Sequence, residues 1–134
     1  ERQWNINIKW KLYNNMINRC LNDLQNTIFV ETIGNTFYPI VLYIYEVDSN
    51  SNENIINISN DSFEISFVKD DVIKYTYTVG NGITLNANEM NFSFIGGITN
   101  IDEGDYTCYV RWTSSLYGVN DIARFFMKVL PNNF

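Results

Sequence analysis

The sequence predicts an all-β protein, and three observations support that prediction. Apolar and polar residues alternate with a period of two in several segments, most clearly over residues 4–12, 63–67 and 73–78. Turn-forming residues separate such segments, for example at 34–35 and 80–82, where a β-hairpin turn is expected. Aromatic residues make up 16% of the chain, and β-branched residues are frequent. Short strands joined by turns at this spacing are typical of a sandwich.

The N-terminal part contains the least regular pattern. Residues 4–12 form the first predicted strand, because apolar residues from Trp4 to Leu12 alternate with Asn or Lys. Residues 15–25 allow two interpretations, a short amphipathic helix with apolar residues at helical spacing, or a strand followed by a long loop. Strands are predicted next over 28–33 and 38–47.

The rest of the chain predicts a succession of short strands after a polar loop at residues 48–54. These strands cover residues 63–67, 73–78, 83–86, 90–95, 105–113 and 122–130. With no internal repeat and no linker, residues 1–134 are expected to form a single domain with one core.

Charge and hydropathy exclude several classes of partner. The net charge is −6 and no run of Lys or Arg occurs, so nucleic acid and anionic membrane surfaces are poor partners. No apolar run is long enough to span a bilayer.

Residues 1–4 lack the apolar centre of a signal peptide, which leaves a cytosolic chain or a mature chain without its leader. Three N-glycosylation patterns, at Asn57, Asn60 and Asn91, favour secretion.

Catalytic chemistry has little support in the composition. The chain has no His, the commonest general base and zinc ligand, and no phosphate-binding glycine motif. The acidic pair Asp70-Asp71 fits a turn, and the acidic residues at 102–105 lack the spacing of a calcium loop. We therefore expect no enzymatic activity, no metal site and no cofactor.

One segment, residues 102–108, has a specific pattern, Asp-x-Gly-x-Tyr-x-Cys. Gly104 allows a sharp turn, Tyr106 can return its hydroxyl to the upstream backbone, and Cys108 then points into the core. This segment resembles the corner before strand F of V-type immunoglobulin domains, and residues 92–98 resemble their strand E. The resemblance is specific over residues 90–112 and extends to 130.

The resemblance implies an immunoglobulin-like V-type antiparallel β-sandwich with an inter-sheet disulfide between Cys20 and Cys108. The alternative is a buried Cys108 thiol and a free Cys20. The family's strand C is expected at residues 39–46, with Leu42 or Ile44 in place of the usual buried Trp. The last strand lacks the Phe-Gly-x-Gly bulge of rearranged antigen receptors, so the chain looks more like an innate or viral immunoglobulin module.

The family's strand order also implies a contact surface. With Cys108 inward, Tyr109 and Arg111 point outward, and a neighbouring strand C would add outward tyrosines from residues 39–46. The predicted protein-binding surface therefore comprises Tyr43, Tyr45, Tyr109, Arg111, Arg124 and Phe126. Leu116 and Tyr117, in the connection 113–121, are added as exposed tip residues. The alternatives are that the N-terminal segment or the family's strand C′ covers the aromatic side chains and that the tip folds back on the sheet.

The expected function is that of a secreted or extracellular protein-binding module. Codon usage rich in A and T, indicated by abundant Asn and Ile, adds the hypothesis of a viral immunomodulator or decoy that binds a host immune ligand or receptor. The alternative is the ectodomain of a membrane-anchored adhesion or receptor protein. A self-associating form, such as a homodimer through exposed strands or a free Cys20, is the third hypothesis.

Overall fold

The computed structural model describes residues 6–12, 19–20, 24–33, 39–93 and 101–131, and these residues form an all-β fold. Their strands are β1 (Ile6–Leu12), β2 (Arg19–Cys20), β3 (Ile28–Thr32), β4 (Ile40–Val47), β5 (Glu53–Ile55), β6 (Ser62–Lys69), β7 (Val72–Val79), β8 (Gly82–Asn86), β9 (Glu89–Phe92), β10 (Gly104–Ser114) and β11 (Gly118–Leu130). The predicted strands are therefore formed wherever the structure describes them, with ends shifted by a few residues.

The strands form one continuous, curled sheet in the order β2-β1-β4-β9-β8-β7-β6-β10-β11-β3, and β5 pairs with β4 outside this path. The pairs β3–β11 and β7–β8 are parallel, whereas the other pairs are antiparallel. Curling brings the two halves of the sheet around a shared interior, which needs apolar side chains on the inner side of the strands that enclose it.

The core is built from that inner side. Its largest fully buried side chains are Trp112, Phe67, Phe92, Phe125, Leu24, Ile40, Leu42, Ile44, Ile58, Ile65, Ile83 and Met90. Every second residue is buried over 63–67 of β6 and over 106–114 of β10, as the period-two pattern predicts. Phe67 is central, because its ring lies 5.3 Å from Tyr77, 5.9 Å from Phe92 and 5.8 Å from Tyr106 between centroids.

Residues 15–25, for which a short helix and a strand with a long loop were both open, are described in part. Arg19 and Cys20 form β2, which pairs Cys20 with Lys9 of β1, so a helix does not run through the whole segment. Leu24 and Gln25 have helical backbone, and residues 15–18 and 21–23 lie outside the described part. The turn at 80–82 does not form a hairpin, since β7 and β8 are parallel. Gly80 and Gly82 have φ angles of 89° and 90°, which let the chain loop back to its original direction.

Candidate functional site

Strand β10 presents one face to the core and one to solvent. Its inward residues are at most 2% exposed, and they are Tyr106, Cys108, Val110 and Trp112. The residues between them, Thr107, Tyr109 and Arg111, are on the opposite side. This alternation confirms the predicted orientation of β10, which decides which of its side chains can meet a partner.

The neighbours of β10 determine the rest of the surface. Tyr109 lies opposite Arg124 on β11 and opposite Ser66 on β6. Thr107 lies opposite Phe126 on β11 and Val68 on β6, and Val68 is in turn the register partner of Ile73 on β7. We define the outer face as the outward side chains of Val68, Ile73, Tyr109, Arg111, Arg124 and Phe126.

Tyr43 and Tyr45 do not belong to this face, which corrects the predicted contact surface. They lie on β4, which pairs with β1, β5 and β9 and has no pairing with β10 or β11. Tyr43 packs beneath the Lys11 ammonium, 5.4 Å from the ring centroid, and Tyr45 packs likewise beneath Lys9 at 5.2 Å. The strand that borders β10 is β6.

Val68 and Ile73 belong to the outer face but were not among the predicted contact residues. Alternation in β6 did place Phe63, Ile65 and Phe67 on one side, and by the same period Val68 falls on the other. What the pattern lacked was the identity of the neighbouring strand, because strand pairing joins residues that are far apart in sequence.

Arg111 is held in a fixed orientation by a neighbouring carboxylate. Its Nε donates to Oδ1 of Asp121 at 2.7 Å and its Nη2 donates to Oδ2 at 3.3 Å. A β-bulge between Val110 and Arg111 shifts the register and brings Asp121 opposite Arg111. The bidentate pair raises the pKa of Arg111 and lowers the pKa of Asp121. Arg124 also lies on the face, with its guanidinium carbon 5.5 Å from the Phe126 ring centroid.

A groove of about 420 Å³ crosses the outer face between Tyr109 and Ile73. The apolar side chains of Tyr109 and Ile73 line it. Both are accessible, because Tyr109 is 46% exposed and Ile73 is 60% exposed. Glu64, Arg111 and Asp121 form a charged rim beside it. An aromatic or aliphatic wall with a polar rim can accept an apolar side chain from another protein while the rim fixes its orientation.

The tip between β10 and β11 divides into a packed and an exposed part. The Tyr117 ring lies 5.3 Å from the Trp112 ring between centroids, and its hydroxyl donates to Oε2 of Glu46 at 2.6 Å. Tyr117 thus folds back on the sheet, as the alternative interpretation expected. Leu116 and Val119 stay exposed.

The corner before β10 has the geometry that the sequence predicts. Tyr106 donates its hydroxyl to the carbonyl oxygen of Asp102 at 2.7 Å. The Asp102 amide donates to the Tyr75 hydroxyl at 2.9 Å. Gly104 has a φ of 144°, and a Cβ there would lie 2.7 Å from Lys69 Nζ. Burial raises the pKa of Tyr106 above its ordinary value of 10.0.

We expect Tyr106→Phe to lower the free energy of unfolding by about 1–2 kcal/mol, because the Asp102 carbonyl loses its hydroxyl donor while the buried ring is kept. Urea denaturation followed by circular dichroism measures this change. The Tyr106 pKa is raised in the folded state, so its contribution is complete below about pH 10 and falls as the pH rises further. The loss of stability above pH 10 should therefore be smaller in the variant; an equally steep loss would contradict this role.

Cys108 is a free thiol in the structure, so the predicted bridge to Cys20 is not formed there. The thiol is fully buried, and this burial raises its pKa well above the ordinary value. Six strands lie between β2 and β10 in the sheet order. The side chain of Cys20 lies outside the described part. Cys108 therefore acts as a small core residue.

The acidic residues at 70–71 and 102–105 form turns and corners, as predicted. Asp70 and Asp71 are the two central residues of the β6–β7 turn, with φ angles of 53° and 62°.

Among the residues that the structure describes, no group of three or more His, Cys, Asp or Glu side chains is arranged to hold a metal ion. In the same part of the chain, no helix is long and apolar enough to cross a membrane.

The three asparagines of the glycosylation patterns have different surroundings. Asn57 and Asn60 are exposed in the segment between β5 and β6, and Asn91 is half-buried on β9.

Comparison of the sequence with protein-family models and with curated proteins finds no match.

Proposed function

We propose that this chain is an immunoglobulin-like domain of the V type and serves as a non-catalytic protein-binding module outside the cell. Two runs of the strand order support the fold assignment: β11-β10-β6-β7 corresponds to the family's G-F-C-C′ run, and β4-β9-β8 corresponds to B-E-D. The corner hydrogen bond from Tyr106 to Asp102 supports it further. In this assignment Phe67, the register partner of Cys108, takes the place of the strand C tryptophan.

The observation that carries the binding function is the composition of the outer face. Tyr109, Ile73 and Phe126 lie with two arginines on adjacent paired strands, so their backbone positions are fixed before a partner arrives. Tyr and Arg are enriched among residues that dominate binding energy. Accessible apolar side chains grouped on one sheet face are typical of protein contact sites.

The partner class follows from the composition and the modification patterns. Three N-glycosylation patterns favour an extracellular setting. The abundance of Asn and Ile, which A/T-rich codons encode, favours a viral source. A secreted decoy for a host immune ligand or receptor fits both. The negative net charge disfavours nucleic acid and anionic membrane as partners.

An array of purified host extracellular domains, probed with the labelled chain, tests this proposal. We expect saturable binding to at least one protein, and we expect Tyr109→Ala to weaken that binding roughly 30-fold or more, as the loss of a central tyrosine of about 2 kcal/mol implies. Ile73→Ser should weaken it in the same direction, because Ile73 forms the opposite wall of the groove.

Tyr43→Ala provides the matched control, since Tyr43 is also an outward tyrosine but lies on β4. It should bind the partner as the natural chain does. Equal loss of binding in Tyr43→Ala and Tyr109→Ala would contradict the outer face as the contact site. Undiminished binding by both Tyr109→Ala and Ile73→Ser would contradict it as well.

A further inference from the structure

A second surface depression brings a glycosylation pattern next to exposed apolar side chains. It has a volume of about 320 Å³ and is lined by β5, the segment that follows it and the tip between β10 and β11. We call it the tip groove, and Asn54, Ile55, Asn57, Ser115, Leu116 and Tyr117 are among its lining residues. Ile55 and Leu116 are 63% and 59% exposed, although they are aliphatic.

Asn57 is placed as an acceptor asparagine. Its side-chain Oδ1 accepts hydrogen bonds from Ser59 N at 3.0 Å and from Ser59 Oγ at 2.6 Å. Neither bond uses the amide nitrogen, which is the atom that an N-linked glycan joins. Ile58, the middle residue of the pattern, is fully buried, and this anchors the segment while Asn57 stays exposed.

We infer that Asn57 carries an N-linked glycan whose first sugars lie in the tip groove and cover Ile55 and Leu116. This inference rests on the proposed extracellular function, since the transfer takes place in the secretory pathway. The donor is an oligosaccharide on a polyprenyl diphosphate. The bond from C1 of the first N-acetylglucosamine to the diphosphate oxygen breaks, a C1–Nδ2 bond forms, Asn57 Nδ2 releases one proton, and the carrier diphosphate leaves with the electron pair.

The chemistry of the tip groove suits such an occupant. The C–H faces of a pyranose ring are apolar and can rest on Ile55 and Leu116, which both line the groove. The hydroxyl and acetamido groups can meet Glu46, Asn54 and Ser115 at the same lining. A tethered sugar loses little further freedom on settling there, because its attachment point is part of the lining.

The other two patterns lack this arrangement. Asn60 is exposed in a turn but does not line the groove, and its neighbour Asp61 is bound to Trp112 Nε1 at 2.8 Å. Asn91 is half-buried on β9 and lies in register between Val41 on β4 and Thr84 on β8. Asn57 is therefore the position from which a glycan reaches the apolar tip, and a covered tip leaves the outer face as the open contact surface.

Secretion of the full chain from eukaryotic cells behind a supplied leader tests this inference. Glycopeptide mass spectrometry should find a glycan on Asn57, lost in both Asn57→Gln and Ser59→Ala and retained in the control Asn60→Gln. The two variants without the glycan should elute later in hydrophobic-interaction chromatography, and adding Leu116→Ser should reverse that shift. Enzymatic deglycosylation of the folded natural chain should reproduce the shift without any substitution.

An unmodified Asn57 in the secreted chain would overturn the inference, and so would a modified Asn57 whose removal leaves the elution unchanged. Because the leader is supplied, these readouts do not depend on the partner-binding assay. If binding depends on Tyr109 but Asn57 carries no glycan, only the glycan inference is overturned. If Asn57 carries a glycan but binding does not depend on Tyr109, only the proposed contact face is overturned.

Discussion

Phe67→Ala is expected to lower the free energy of unfolding by about 3–5 kcal/mol, the usual cost of emptying a buried phenylalanine site. Phe67 is fully buried on β6, and its ring is in edge-on or tilted contact with several aromatic rings. The contacts join both halves of the curled sheet, since Phe92 lies on β9 and Phe125 on β11. A cavity at this point removes packing from both sides at once.

Urea denaturation followed by circular dichroism measures this loss, and Phe126→Ala is the matched control. Phe126 is the same residue type on the outer face, where it is half-buried, so its removal should cost about 1 kcal/mol or less. In a Cys20→Ser background the Cys108 thiol gives a second readout, because it is buried opposite Phe67 and should react faster with a thiol reagent when Phe67 is truncated. Equal losses in Phe67→Ala and Phe126→Ala would contradict the central role of Phe67.

The orientation of side chains within each strand could be predicted from the sequence. Alternation has a period of two, so the inward positions of Cys108 and Trp112 follow once one of them is assigned to the core. Arg124 and Phe126 point outward on β11, as the same alternation predicts. The Tyr106 corner was predictable too, because its hydrogen bond joins residues only four positions apart.

The neighbour of each strand could not be predicted in the same way. Tyr43 on β4 and Val68 on β6 both lie outward on well-patterned strands, and nothing local tells which strand borders β10. That choice depends on how the whole sheet closes around its core, which is a property of contacts between distant residues. Leu42 and Ile44 were rightly expected to be buried, but Phe67 is the residue opposite Cys108.

The tip between β10 and β11 likewise has one feature that follows from local sequence and others that depend on distant residues. Exposure of Leu116 followed from its place in a connection between two strands. The inward turn of Tyr117 depends on Glu46, which lies 71 positions away in sequence. The position of Asn57 beside the tip depends in the same way on the path of the chain between β5 and β6.

Trp112→Ala is expected to cost about 3–5 kcal/mol of unfolding free energy and to loosen the tip as well. The indole is fully buried, stacks with the Phe63 ring at 6.4 Å between centroids, and packs against Tyr117. Its Nε1 donates to Oδ2 of Asp61 at 2.8 Å, which ties β10 to the segment that precedes β6. Truncation removes the ring and leaves the half-buried Asp61 carboxylate without this donor.

A double-mutant cycle separates the hydrogen bond from the packing. Trp112→Phe keeps an aromatic ring but loses the donor, and Asp61→Ala loses the acceptor. If the bond contributes as a hydrogen bond to a charged group usually does, the two substitutions should be coupled by about 1.5–3 kcal/mol in urea denaturation. Tyr109→Ala, on the solvent side of the same strand, should change stability little and serves as the control. Additive losses in the cycle would show that Asp61 and Trp112 stabilise the fold independently, and the tip would then be held by ring packing alone.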